Sequence, residues 1–312
     1  MNRNFMKLAF VSALAFAATQ GVNAQMSAPG WAQEQNATVQ HAGPGMAPTQ
    51  RFFDSQEVLL FEITSLNETT EDYTYNVKVV GVNKEKVSGL TALTIAFSDY
   101  DEANGPITSK IDAVEAVDVY EPSAMKTKVT GVSLAAITKL TVGINAPNDN
   151  TSDHLSTFST GIVSISDNAF ANLTGLTEII TYCEAAPTMK SNAFASSRYS
   201  KAKLTVPNIK GKKEYQGKAG GVFANAEGWN NFMYNNKLYV NGSAKFFGDF
   251  DNSGSLNSTD VKRMISYLNA IEDDEEYSGS VNSLSLDING DGSFTSTDVK
   301  RLLTIINTIE DM

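Results

Sequence analysis

Apolar and polar residues alternate strictly over one early stretch: Tyr73, Tyr75, Val77 and Val79 fall on one side, Thr74, Asn76 and Lys78 on the other. A period of two predicts a half-buried strand. The apolar stretch 58–63 is expected to pair with it across the polar turn around Asn67-Glu-Thr-Thr70. One short phrase then recurs as Leu93-Thr-Ile95, Leu140-Thr-Val142, Leu176-Thr-Glu-Ile179 and Leu204-Thr-Val206. A second, Asn168-Ala-Phe-Ala171, returns 24 residues later as Asn192-Ala-Phe-Ala195. Apolar strands recurring every few tens of residues, with phenylalanine filling the space between rungs, predict a stacked, solenoid-like region beside a β-sandwich-like one. Near the C-terminus the period becomes helical. Val261, Met264, Ile265, Leu268 and Ile271 are expected on one helix face, and Val299, Leu302, Leu303, Ile306 and Ile309 repeat them 38 residues later.

Each helix is preceded by an oxygen-rich loop. Asp249-Phe-Asp-Asn-Ser-Gly-Ser-Leu-Asn-Ser-Thr-Asp260 and Asp287-Ile-Asn-Gly-Asp-Gly-Ser-Phe-Thr-Ser-Thr-Asp298 align without a gap. Oxygen-bearing side chains stand at loop positions 1, 3, 5, 9 and 12 and glycine at position 6, the donor set of a hard cation that takes oxygen ligands around a sharp turn. Calcium is therefore expected in each loop, two ions in all. The first would be held by Asp249, Asp251, Ser253, the Ser255 carbonyl, Asn257 and Asp260. The second would be held by Asp287, Asn289, Asp291, the Ser293 carbonyl, Thr295 and Asp298. Leu256 and Phe294 at position 8 are expected to face inward and pair the loops. Neither Asn241-Gly-Ser-Ala-Lys-Phe-Phe-Gly248 nor Tyr277-Ser-Gly-Ser-Val-Asn-Ser-Leu-Ser285 can form an amphipathic helix, and position 12 is Asp. A calcium sensor works by moving the helix that leads into its loop, so the sensor reading weakens.

Composition narrows the field. A net charge of −11 over 312 residues argues against nucleic acid and anionic membranes as partners. Arg3 and Lys7, an apolar run over 8–18 and the small residues of Val22-Asn-Ala24 read as a signal peptide, so the chain is expected to be exported, extracellular or held at the cell surface through a scaffold. The Ala/Gly/Pro/Gln-rich stretch after it reads as a linker. Cys183 is the lone cysteine, which excludes a disulfide framework and reads as a buried small hydrophobe. Two histidines, His41 and His154, are too few for a histidine-built metal centre and leave Ser/His/Asp chemistry only His154.

Two resemblances rest on these residues. Residues 162–170, Leu176-Thr-Glu-Ile179, Ala186-Pro187 and Asn192-Ala-Phe194, with Leu204-Thr-Val-Pro207, Tyr215, Gly228-Trp229 and Phe232, resemble the BspA-type leucine-rich repeat of bacterial surface proteins. The duplicated loop–helix unit with Asp at position 12 resembles the type I dockerin, which plugs catalytic or binding proteins into a cohesin-bearing scaffold. The resemblance implies that positions 10 and 11 and the next helix turn face the cohesin. Those residues are Ser258, Thr259, Lys262 and Arg263 in the first copy and Ser296, Thr297, Lys300 and Arg301 in the second, within the identical hexapeptide Ser-Thr-Asp-Val-Lys-Arg. Ser-Thr pairs at these positions also suit helix capping. Two identical faces imply docking in either orientation, a statistical gain of only RT ln 2, about 0.4 kcal/mol.

The expected architecture is a mostly β payload, β-sandwich-like plus a short leucine-rich solenoid, with a small all-α calcium-binding domain of two loop–helix repeats. Its divisions are a signal peptide (1–24), a linker (25–51), a β-rich domain (52–160), a BspA-like segment (161–242) and the dockerin (245–312). Three functions remain open. The payload could be a non-catalytic binding or adhesion module, with a carbohydrate or protein ligand, carried into a polysaccharide-degrading complex. It could be a glycoside hydrolase, which needs two carboxylates across a sugar site; Asp99, Asp101, Glu102, Asp112 and Glu115 offer carboxylates but no spacing that singles out a pair. It could be a free calcium-stabilised adhesin.

Overall fold

The computed structural model describes residues 49, 51–53, 56–68, 73–96, 99–101, 105–107, 110–143, 162–211 and 216–312. The expected signal peptide, most of the linker, His41, Glu102, His154 and Tyr215 lie outside them.

Residues 59–68 (β2) pair antiparallel with 73–83 (β3), bringing Ile63 opposite Val77, and 51–53 (β1) add to the outer edge of β2. Beyond β3 the pairing turns parallel. The first sheet continues through β7 (Lys110–Glu121), β10 (Ile162–Ile165) and β12 (Thr188–Met189), with β8 (Ala124–Val129) antiparallel on β7. The second sheet is wholly parallel. It runs β4 (Ala92–Ile95), β9 (Lys139–Val142), β11 (Glu178–Thr181), β13 (Lys203–Val206) and β14 (Leu238–Val240). Strands β5 (Asp99–Asp101) and β6 (Gly105–Ile107) form a separate hairpin. From β9 to β13 the chain alternates between the two main sheets, and both sheets continue across residue 160.

The recurring phrases are the strands of the second sheet. Leu93, Leu140, Ile179, Leu204 and Leu238 lie in register, each at most 2% exposed, and form one apolar row. The register corrects the alignment that the shared Leu-Thr suggests, because Ile179 and not Leu176 meets Leu140 and Leu204. Leu176 is fully buried two residues before the strand. The second row holds Ile95, Val142 and Thr181, whose hydroxyl accepts the Cys183 N–H at 3.1 Å. Cys183 is buried, and burial pushes its thiol above the usual range, which suits a packing role.

The Asn-Ala-Phe-Ala copies also stack. Phe170 and Phe194 form a parallel bridge with ring centroids 4.9 Å apart, and Asn168 N–H donates to the Asn192 carbonyl at 3.2 Å. Phe194 then meets Tyr199, Trp229 and Phe232 edge-on. This cluster seats three short helices, α2 (Ser196–Lys201), α3 (Lys218–Asn225) and α4 (Asn230–Tyr234), which follow α1 (Lys84–Val87) in the chain. Two long helices, α5 (Ser258–Glu272) and α6 (Ser296–Glu310), complete the fold. Apart from a small cluster of Phe53, Leu60, Val80 and Met125, the buried apolar residues form one connected cluster from Phe52 to Ile306, so the C-terminal helices share a core with the sheets. Because Phe194 touches four other rings, Phe194→Ala is expected to cost about 3–5 kcal/mol, read as a lower urea midpoint with an unchanged denaturant slope.

Candidate metal and docking site

The two loop–helix units begin alike because equivalent position-9 residues cap them, one residue before the Ser-Thr pairs that suited capping in the sequence. Asn257 accepts the Thr259 N–H at 2.8 Å, and Thr295 accepts the Thr297 N–H at 3.2 Å. Asp260 and Asp298 close each capping box by accepting the N–H of Asn257 at 2.9 Å and of Thr295 at 2.8 Å. Position 12 therefore serves twice, since each carboxylate also turns an oxygen back into its loop. Asp260 Oδ1 accepts from Phe250 N at 2.9 Å and Asp251 N at 3.3 Å, and Asp298 Oδ1 accepts from Asn289 N at 3.1 Å. Among the described residues no α-helix leads into either loop, only a 3₁₀ turn at Ser283–Ser285.

At the other end, Asp249 accepts the N–H groups of Ser253 and Gly254, each at 2.9 Å, and Asp287 accepts that of Gly292 at 2.8 Å. Asp249, Asp260, Asp287 and Asp298 are all fully buried. In the first loop, carboxylate oxygens of Asp249, Asp251 and Asp260 lie within 4.8 Å of one another. Ser253 Oγ and Asn257 Nδ2 both point at the Ser255 carbonyl, at 3.2 and 3.3 Å, so the side chains of positions 5 and 9 meet at position 7. In the second loop Asp287 Oδ1 is buried with no hydrogen-bond partner. Asn289 accepts from Asp291 N at 2.9 Å, and Asp291 accepts from Ser293 N at 2.8 Å. Thr295 is half-buried beside them.

Such a cluster is electrostatically unfinished. Burial raises the carboxyls of Asp260 and Asp298 above their usual range. Asp287 is pushed up to about 6 by burial, to which the charges of Asp298 and Asp291 add and which the Gly292 N–H opposes. Asp251 goes the other way. Burial works against its charge, but hydrogen bonds from Ser253 and the nearby Arg263 guanidinium outweigh that. Oxygen donors alone, converging carboxylates and an orphaned buried Asp287 oxygen fit a hard divalent cation, which would supply the missing positive charge.

The residues expected to face a cohesin divide. Ser258, Thr259, Lys262 and Arg263 are all exposed, and Arg263 Nε lies 3.3 Å from Asp251 Oδ2. Ser296, Thr297 and Lys300 are exposed too, but Arg301 is half-buried and donates through Nε to Asn225 Oδ1 of α3.

Residues 247–307 match the family model of the dockerin type I domain. The C-terminal segment is a dockerin. Neither a curated protein nor a solved structure matches the chain.

Within the dockerin, Val261, Met264, Leu268, Val299, Leu302 and Ile306 are buried as the helical period predicts. Ile265 and Leu303 are each 44% exposed and Ile271 42%, because they lie past the edge of the buried stripe. Ile309 is half-buried, whereas Ile305, outside the expected set, is 1% exposed on a helix that packs against α4. At position 8, Phe294 is buried and stacks on Tyr267 with centroids 5.7 Å apart, while Leu256 is only half-buried. Three residues escaped the ligand pattern because they are not duplicated. Asn282 donates to the Asp249 carbonyl at 3.1 Å, Ser285 Oγ accepts from Gly248 N at 3.1 Å, and Asn225 reaches in from outside the dockerin.

Replacing Asp287 with Asn keeps the shape and removes an uncompensated buried charge. The metal-free chain should gain about 1–3 kcal/mol, because a buried unpaired carboxylate costs more than the neutral amide that replaces it. Its calcium-induced rise in melting temperature should shrink, so the two effects of one substitution have opposite signs in paired melts with calcium and with chelator.

Proposed function

We propose that the chain is an exported docking protein whose dockerin holds two calcium ions and binds a cohesin domain of a scaffolding protein. Its β-rich payload is thereby carried into a polysaccharide-degrading complex as a non-catalytic binding or adhesion module. The observation that carries this reading is the pair of capped, oxygen-lined loops with no helix leading into them, inside the segment that matches the dockerin family. Calcium would act there by cancelling the repulsion among converging carboxylates, which locks each loop and so fixes the Ser-Thr and Lys-Arg pairs on its helix. The first loop uses Asp249, Asp251, Ser253, Ser255, Asn257 and Asp260, and the second Asp287, Asn289, Asp291, Ser293, Thr295 and Asp298.

The non-catalytic reading of the payload is supported by how its polar residues are spent. Trp229 is fully buried and donates its indole N–H to the Pro187 carbonyl at 2.8 Å, so it offers no face for a sugar. Asp112 accepts from Thr64 at 2.6 Å and Asn76 at 3.2 Å, and Glu115 pairs with Lys78 at 3.0 Å. The BspA-like solenoid reading draws support from strands that alternate between two sheets and from the stacked Phe170 and Phe194. Export rests on the N-terminal sequence; no helix among the described residues is long and apolar enough to cross a membrane.

Two measurements test this. In a pull-down of the full chain with immobilised type I cohesin domains, capture should require calcium and vanish with chelator; no calcium-dependent capture by any cohesin tried defeats the proposal. By calorimetry, the chain should bind two calcium ions and the Asp260→Ala and Asp298→Ala variants one each. A stoichiometry of one for the unaltered chain would refute the two-site assignment.

A further inference from the structure

The two repeats share the hexapeptide Ser-Thr-Asp-Val-Lys-Arg, yet the surroundings of their loops differ on the payload side. A Cβ added at Gly254 of the first loop would meet nothing within 4 Å. The equivalent Gly292 is buried, with its backbone against Gly211. Gly221 of α3 lies so close to the Asp287 carbonyl and Gly290 that a Cβ there would collide with both, and Gly217 lies equally close to the Leu284 carbonyl. Asn225 then fastens the contact, since its Nδ2 donates to the Ile288 carbonyl at 2.9 Å and to Gly221 at 2.6 Å while its Oδ1 accepts from Arg301.

The arginines part ways along with a change in where the loop carboxylates stand: position 5 is Ser253 in the first loop and Asp291 in the second, and position 3 changes in the opposite sense. Position 3 is Asp251 in the first loop, and Arg263 pairs with it. Position 3 is Asn289 in the second, which carries no charge, so Arg301 has no carboxylate there and turns to Asn225. The arginine of one face is thus exposed beside its own loop, and the arginine of the other is committed to the payload.

We propose that the repeats are not interchangeable. The second is the seat on which the payload rests, and the first presents the docking surface, so that the full chain binds its partner in one orientation. This rests on the cohesin reading above. The occupant of the first face is a cohesin surface with acidic groups opposite Lys262 and Arg263, hydrogen-bonding groups opposite Ser258 and Thr259, and an apolar patch for the exposed Ile265. The second face keeps its hydroxyls and Lys300, but its arginine edge abuts α3, and a partner reaching across it would meet the payload.

The test uses the full chain and two matched substitutions, Lys262→Glu and Lys300→Glu. Both lysines are exposed, and neither takes part in the contact with α3. Binding to the immobilised type I cohesin panel in calcium should weaken at least about tenfold for Lys262→Glu and no more than about twofold for Lys300→Glu. Small effects for both, with loss only in the double variant, would mean interchangeable faces and overturn the proposal. A larger effect for Lys300→Glu would overturn it as well. If no cohesin captures the unaltered chain, the cohesin reading fails, and the division between the repeats is judged by amide hydrogen exchange. In calcium, Asp298→Ala should speed exchange over residues 218–225 at least about fivefold, whereas Asp260→Ala should leave it within about twofold. Asn225→Ala should speed the same amides without removing a calcium ligand. Equal exchange over 218–225 in the two Asp variants would refute the seat.

Discussion

Both C-terminal loop–helix units depend on four buried carboxylates. Asp249, Asp260, Asp287 and Asp298 have no exposed surface, and none has a salt bridge among the described ion pairs. They are held by backbone N–H groups at the loop turns and at the starts of α5 and α6. Such donors can orient a carboxylate but not cancel its charge, and burial lifts Asp260, Asp287 and Asp298 toward the neutral form. The cheapest remedy for a buried charge is a counter-charge. A divalent cation would supply it in one step, and the geometry of loop, cap and first helical turn fits serving such an ion.

The packing of the second loop limits how independent the dockerin can be. Small helical modules without disulfides bury little apolar surface and lean on metals for stability. Here part of that burden passes to a neighbour. Phe247 packs on Gly220, Phe246 and Phe250 are buried, and the apolar cluster runs without a break from the sheets into both long helices. Glycines at 211, 217 and 221 let the two backbones approach where a side chain would hold them apart. The connection is a close-packed interface and not a tether, so the state of the second loop and the stability of α3 are expected to be linked.

Much of this was legible in the sequence, for identifiable reasons. Period-two alternation placed β3 and the apolar run beside it placed β2, and the duplicated loops marked every carboxylate position, because ligand geometry depends on spacing along the chain; the caps fell one residue before the Ser-Thr pairs, on Asn257 and Thr295. The register of β11 was not legible, because Leu-Thr recurs at 176 but the strand begins at Glu178; pairing follows the row of buried side chains and not the similarity of letters. Ile265 and Leu303 read as core because apolar letters at helical spacing reveal a stripe but not its edge. Ile305, Asn225, Asn282 and Ser285 were invisible for a different reason. They act between segments distant in sequence, and none of them repeats with the 38-residue period.

That last group shows how a duplication can lose its symmetry without losing its motif. Both copies keep all six residues from Ser to Arg, so selection for a docking face and neutral retention look identical in the letters. Position 3 and the environment distinguish them. An aspartate there gives the first arginine a partner within its own loop, and an asparagine frees the second arginine to join α3. Since the free-energy gain from a second, equivalent orientation is only about 0.4 kcal/mol, little affinity is forfeited by giving it up. A seat made of a buried loop, three glycines and an arginine–asparagine hydrogen bond can outweigh that gain severalfold, because even one net hydrogen bond contributes about 1 kcal/mol. The magnitudes therefore favour a chain that trades the second orientation for a fixed payload.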